Sequence, residues 1–220
     1  MYSAEPINLK GFRDKPLRCT FFKQERETGH LAVVFPGYGY RCYGPVIYYP
    51  SLVLLSLGAD VLWVEYEYDK ELEYMTVEPA ERRLWRLSDA NAAVRMALDR
   101  HPYERFTLVG KSIGTLVVGD LLSEERRLHS ARAIWLTPLL HNEELRDQLE
   151  RLSNQSLLVS GSADSAYDPE FALRLRKKPN VRLLLLEGAD HSLEVPGDPL
   201  QSLEALRRLT EQTVDFERTS

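Results

Sequence analysis

Residues 106–122 read FTLVGKSIGTLVVGDLL: an apolar β-type run, a glycine-flanked turn and an apolar helical run, in that order. At the turn stand Gly110, Ser112 and Gly114, the pattern G-x-S-x-G in the strand-turn-helix setting that gives it meaning. Small residues on either side of Ser112 let the backbone bend sharply. The hydroxyl is then exposed at the end of a strand, and the following helix aims its N-terminal amides at incoming negative charge. A phosphate-loop reading of Gly-Lys-Ser needs glycine at Arg105 and fails. A tight turn without chemistry is the structural alternative until partners for the serine are found.

Outward from this turn, apolar β-type runs alternate with helical segments. The runs are 31–35, 60–66, 106–110, 131–137, 156–161 and 181–187, most of them nearly continuous in apolar residues, as strands covered on both faces should be. Leu17 to Lys23 alternates more and is expected to be an antiparallel edge strand. Helices are expected at 46–57, 79–100, 113–123, 142–152, 169–177 and 199–214. The clearest, 79–100, carries an apolar stripe of Leu84, Leu87, Ala90, Val94, Ala97 and Leu98. This is α/β grammar: a mostly parallel sheet with helices on both faces. Right-handed crossovers gather the strand-to-helix loops at one sheet edge, where open α/β folds bind ligands.

Composition narrows the function classes. A chain of 220 residues with 44% hydrophobic and 28% charged residues is expected to form a single domain spanning 1–220. Its 28 Lys+Arg against 33 Asp+Glu supply no basic field for a polyanion, so no nucleic-acid partner is expected. The start, MYSAEPINLKGF, has no basic leader with an apolar run behind it. No segment approaches the roughly 18 apolar residues of a membrane helix, so the protein is expected to be cytoplasmic with no membrane partner. Cys19 and Cys42 are too few for a zinc cluster or a disulfide framework and are expected to be reduced thiols.

A serine hydroxyl needs an imidazole to take its proton and a carboxylate to orient that imidazole. Of the five histidines, His30 and His129 precede strands and His101 follows a helix, which puts all three at the edge opposite Ser112. His141 and His191 follow strands on the correct side. His191, in the polar loop Gly188-Ala-Asp-His-Ser192, suits an exposed base. His141 is placed at a helix start, with a capping or substrate-contacting role. For the acid, Asp164 in Gly161-Ser-Ala-Asp164 follows its strand at once, on the same edge. Asp168 before Pro169 reads as a helix cap and Asp190 as a turn residue.

The order Ser112, Asp164, His191, together with the serine turn and the strand pattern, resembles the α/β-hydrolase superfamily over nearly the whole chain. GKSIG, GSAD and GADHS are similar to the small, lid-poor hydrolases of the dienelactone-hydrolase and testis-expressed-30-like type. The resemblance implies a nucleophile–acid–histidine site on those three positions. It also aligns Phe35-Pro-Gly-Tyr-Gly-Tyr40 with the superfamily's His-Gly loop, with Pro36 where histidine often stands. The backbone amides of Ile113 and Tyr38 are then the oxyanion donors. A dinucleotide fingerprint in the same loop would need glycine at Cys42 and is rejected.

Many of the eleven tyrosines cluster after the strands at 31–35 and 60–66. They fit either an amphipathic pocket wall or a loop-core boundary. Tyr40, Lys111, His141 and Tyr167 are the candidate substrate contacts. Glu65, Glu67, Asp69, Glu71 and Glu73 would repel anionic substrates if they faced the site. About 18 residues separate the strand ending near Thr137 from that starting at Ser156, enough for one helix and no large lid. The expected function is hydrolysis of a small ester or thioester through an acyl-enzyme, with no metal and no cofactor. A scaffolding protein of the same fold and a short-peptide peptidase are the alternatives, and a homodimer is left open.

Overall fold

The structure, a computed structural model, describes residues 1–219. Its strands are β1 (Tyr2–Lys10), β2 (Pro16–Gln24), β3 (His30–Phe35), β4 (Asp60–Glu65), β5 (Arg105–Lys111), β6 (Arg132–Leu136), β7 (Ser156–Gly161) and β8 (Val181–Leu186). They form one eight-stranded sheet in the order β1-β2-β4-β3-β5-β6-β7-β8. From β4 to β8 neighbours run parallel, whereas β2 pairs antiparallel with both β1 and β4. Every residue of β3 and β7 is buried, which is why those runs read as continuous apolar segments.

The helices are α1 (Pro45–Ser56), α2 (Pro79–Leu98), α3 (Ile113–Glu124), α4 (Glu143–Arg151), α5 (Pro169–Arg176) and α6 (Pro199–Arg218). Four of the six begin with proline, whose missing N–H costs nothing in the first turn. Asn142, Asp168 and Asp198 cap α4, α5 and α6 by accepting from Leu145, Phe171 and Gln201 amides. Helices α2 to α5 cover one sheet face around Trp85, Val117, Leu145 and Phe171. On the other face α1 and α6 enclose a second core with Ile47, Leu54, Leu209 and Phe216.

Four expectations need correction. The strand at 17–23 is not the edge, because β1 lies outside it. Strand β1 shows only Ile7 and Leu9 to the core, so it carries no apolar run by which it could be recognised. Helix α6 runs on to Arg218, where Phe216 and Glu217 are buried. In α2, Leu84 is 60% exposed, and the buried stripe is carried instead by Trp85, Arg86, Leu87, Asp89, Ala90, Ala93, Val94 and Ala97. Two polar groups thus sit where an apolar pattern cannot see them. Lastly, Asn142 and not His141 caps α4.

Candidate active site

Strand β5 ends at Lys111 and α3 begins at Ile113, so Ser112 alone makes the turn, with φ 53° and ψ −116°. A non-glycine residue there is strained, and such strain belongs to sites whose surroundings hold it in place. The flanking glycines are what those surroundings demand. A Cβ on Gly114 would lie 2.2 Å from the Phe35 carbonyl oxygen, and one on Gly110 would lie 2.5 Å from the Gly114 carbonyl oxygen. The Ser112 amide donates to Leu136 O at the end of β6 at 3.0 Å, which fixes the turn between its neighbours.

The acid and the base arrive on adjacent loops after β7 and β8. A Cβ on Gly161 would stand 2.0 Å from Ala189 O, and the Ala163 amide donates to the same oxygen at 2.9 Å. The two loops are therefore pressed together. His191 Nδ1 lies 2.9 Å from both carboxylate oxygens of Asp164, and His191 Nε2 lies 2.9 Å from Ser112 Oγ. Because a carboxylate only accepts, Nδ1 carries the proton. Nε2 is then free to accept from the serine hydroxyl. Asp164 is buried, and its Oδ1 also accepts from the Ala166 amide at 2.8 Å. Burial pushes its pKa up, but the bonds from His191 and Ala166, with the nearby Lys111 charge, outweigh burial and hold the carboxyl below its ordinary value. The structure thus brings Ser112, His191 and Asp164 into one hydrogen-bonded chain. Asp168 caps α5 and Asp190 Oδ1 accepts the Ser192 amide, so neither competes for the imidazole.

The loop after β3 lies against the serine: a Cβ on Gly37 would be 3.4 Å from Ser112 Cβ. Tyr38, which follows it, is exposed, and its ring stacks toward Tyr74. Ile113 opens α3, where the first amides have no partner within the helix. Sequence reasoning missed what supports this loop. Tyr66, Tyr68 and Tyr74 form a buried stack with ring centroids 4.2 and 4.3 Å apart, and Tyr66 OH donates to Pro36 O. The uneven spread of tyrosines was the available signal, and for these three members its meaning is structural.

The candidate substrate contacts separate. Lys111 is 2% exposed and its ammonium donates to His191 O and Thr137 Oγ1, so its burial removes it from contact with substrate. Tyr40 OH accepts from the Val46 amide at the start of α1, its ring covers Lys111, and it also lines the apolar cavity beside the histidine loop. His141 is exposed in the loop after β6 and bonds to none of the three chain members. Tyr167, half-buried, follows Asp164 and its amide donates to Asp164 O at 3.0 Å. The acidic run after β4 is neutralised. Lys15 pairs with Glu71 and Glu73, Arg18 with Glu67, and Arg41 with Asp69. These cations come from distant loops and from β2, beyond the reach of local reading.

Beside the histidine loop lies a largely apolar cavity of about 540 Å³, bounded by Tyr40, Val46, Leu193, Val195, Leu206 and Leu209. A larger one of about 710 Å³ lies between α3 and α4, lined by Gly119, His129 and Gln148, and includes none of the three chain members.

A mostly parallel eight-stranded sheet with a strained serine turn after β5, a carboxylate after β7 and a histidine after β8 is the α/β-hydrolase fold. The connection from β6 to β7 carries only α4 and no lid. No protein-family model matches the chain, and no curated protein matches it. Solved structures do. An α/β serine hydrolase homologue from Coxiella burnetii matches with a TM-score of 0.74 at 15% identity, covering 96% of each chain. An esterase from Pyrococcus furiosus matches at 0.73 and 15% identity, over 98% of this chain and 91% of that one. An α/β serine hydrolase without lid from Xanthomonas campestris matches at 0.72 and 16% identity, over 98% and 94%. At such identities the likeness is one of fold. Among the described residues no helix is long and apolar enough to cross a membrane.

Proposed function

We propose that the protein is a serine hydrolase that cleaves a small ester or thioester through an acyl-enzyme. The observation that carries this reading is the chain Ser112 Oγ, His191 Nε2, His191 Nδ1 and Asp164, with 2.9 Å at each link. Ser112 attacks the substrate carbonyl as His191 takes its proton at Nε2. Asp164 holds the tautomer and steadies the imidazolium. The Ile113 and Tyr38 amides receive the oxyanion, each worth about 2.7–4 kcal/mol in the transition state by the cost of losing such a donor. His191 then protonates the leaving group, and water, activated by the same imidazole, releases the acyl group and restores Ser112. Tyr167, His141 and the exposed Tyr38 ring are offered as rim contacts, and the apolar cavity beside Tyr40 as space for the acyl side.

The experiment is labelling by a fluorophosphonate probe, with an activated-ester panel of increasing acyl length. Labelling and turnover are expected in the wild type and lost in Ser112→Ala and His191→Ala, the former by about 10⁶-fold in kcat. A folded Ser112→Ala that still turns over the panel sinks the reading. A wild type inert to the probe and to every ester favours a scaffolding role.

A further inference from the structure

Lys111 immediately precedes the nucleophile, yet its side chain turns inward and is 2% exposed. Its Nζ donates to the backbone oxygen of His191 at 2.8 Å and to Thr137 Oγ1 at 3.2 Å, and stands 4.7 Å from the centroid of the Tyr40 ring. Burying an ammonium is costly, and a methionine would fill the same space without that penalty. The charge does secure a strong donor aimed at one carbonyl, that of the residue whose imidazole faces Ser112.

The histidine loop is stiff within itself. The Asp190 amide donates to Glu194 O at 2.8 Å, Leu193 N donates to Asp190 O at 3.0 Å, and Asp190 Oδ1 accepts from the Ser192 and Glu194 amides. Ala189 O ties it to the acid loop. Among the described residues, its hydrogen bonds to the nucleophile turn are two: the Ser112–His191 contact and the one from Lys111. Neighbours in sequence thus reach the ring and the backbone of the same histidine.

We propose that Lys111 is a positioning residue: through the His191 carbonyl it fixes the histidine loop against the nucleophile turn and holds the imidazole in line with the serine hydroxyl. The inference rests on the serine-hydrolase reading. The titratable and charged groups that face Lys111 are Asp164 on the acid loop, Asp190 and His191 on the histidine loop, and Tyr40 on the loop after β3. Burial brings its ammonium down to about 8, against the opposing pull of Asp164 and Asp190. The donor is therefore charged at neutral pH and loses its charge in alkaline solution. Neutral hydrogen bonds are roughly half as strong as charge-assisted ones.

The test compares wild type, Lys111→Met and Lys111→Arg. Ester kcat and KM are measured from pH 6 to 10, and the His191 ring is followed by ¹⁵N NMR. Lys111→Met is expected to lower kcat about 10²-fold with KM little changed. The wild type should lose activity above about pH 8, where Lys111 sheds its proton. Both variants should lack that decline, and Lys111→Arg should recover most of kcat. In the NMR arm, the His191 Nδ1–H signal is expected to broaden in Lys111→Met and persist in Lys111→Arg. This arm needs no turnover, so it still decides if the wild type proves inert to esters and fluorophosphonates, which would remove the hydrolase reading alone. A folded Lys111→Met with wild-type kcat, with the alkaline decline intact, or with unchanged His191 signals overturns the proposal. If Lys111→Met does not fold, Lys111→Arg decides: a decline near pH 8 that persists in it overturns the proposal.

Discussion

The hydroxyl of Tyr66, just beyond β4, donates to the carbonyl oxygen of Pro36, just beyond β3. Two loops at the same end of adjacent strands are thereby joined, and one of them abuts Ser112 through Gly37. Tyr66 is buried and continues into the Tyr68–Tyr74 stack, so the loop whose Tyr38 amide is proposed as an oxyanion donor rests on a packed aromatic base.

Tyr66→Phe keeps the ring and deletes the donor. The Pro36 carbonyl is left unsatisfied in a buried site, at a cost of about 1–3 kcal/mol. Chemical denaturation should register that loss. In ester kinetics, kcat should fall with KM little changed, and by less than the roughly 10²-fold that follows loss of a whole oxyanion donor. An unaltered kcat would separate Tyr66 from the active site.

Ser112 occupies a positive φ that glycine adopts without strain. Ser112→Gly and Ser112→Ala both lose the hydroxyl and its bond to His191, and only Ala retains the strain. Relief of about 1–3 kcal/mol of strain exceeds the roughly 0.4–1 kcal/mol that glycine loses to its freer unfolded chain, so Ser112→Gly should be the more stable by about 0.5–2 kcal/mol. Equal melting temperatures for the two inactive variants would mean that the turn is relaxed.

Gly114→Ala puts a methyl group 2.2 Å from the Phe35 carbonyl oxygen, a backbone atom with no flexible side chain to yield. The loop after β3 must move away from α3. Both a lower melting temperature and a loss of fluorophosphonate labelling are expected. A variant that labels at the wild-type rate would show that this close approach is dispensable.

Asp89, buried in α2, accepts from the Phe12 amide and from Tyr68 OH. Burial raises its pKa to about 6, outweighing both hydrogen bonds. The folded protein thus keeps this proton to a higher pH than the unfolded chain, for which the ordinary value is 3.8. Its stabilising contribution is full below 3.8 and lost as pH climbs through 6. Asp89→Asn can accept from Phe12 and donate to Tyr68, and it does not titrate. Its stability relative to wild type should improve by order of 2 kcal/mol between pH 4 and pH 7. Melting curves at the two pH values measure this, and a difference independent of pH contradicts it. The buried His30, brought to about 4 by burial and by Arg105 and Arg132, destabilises both proteins alike on acidification from 6.5 and cancels in the comparison.

What local reading could reach was the part of the fold written in short-range pattern. Strands β3 to β8 and all six helices lie within a few residues of where apolar runs and periodicity put them, because both faces of the central sheet are covered. Asp164 and His191 were accessible through topology, since a loop after a parallel strand falls on a known edge. What stayed hidden was tertiary. Nothing in GKSIG says that Lys111 folds inward onto His191, 80 positions away along the chain. The acidic run after β4 meets its cations only when β2 and neighbouring loops come alongside. Strand β1 is recognisable by hydrogen bonding alone, for most of its side chains face water.

A single nine-residue helix, α4, joins β6 to β7, and no cap follows from it over the serine. On the proposed hydrolase reading, no lid in this connection has to close between capture and cleavage, so a poor guest is not rejected by its failure to shut. Discrimination in the proposed reaction then rests on how well a standing doorway grips the group being transferred. The 137–142 segment, which ends just before α4, carries Thr137, whose hydroxyl accepts from Lys111, and the exposed His141 proposed as a rim contact. On that reading, substitutions at the exposed His141 are expected to alter which group is gripped, while Thr137 keeps its bond to Lys111.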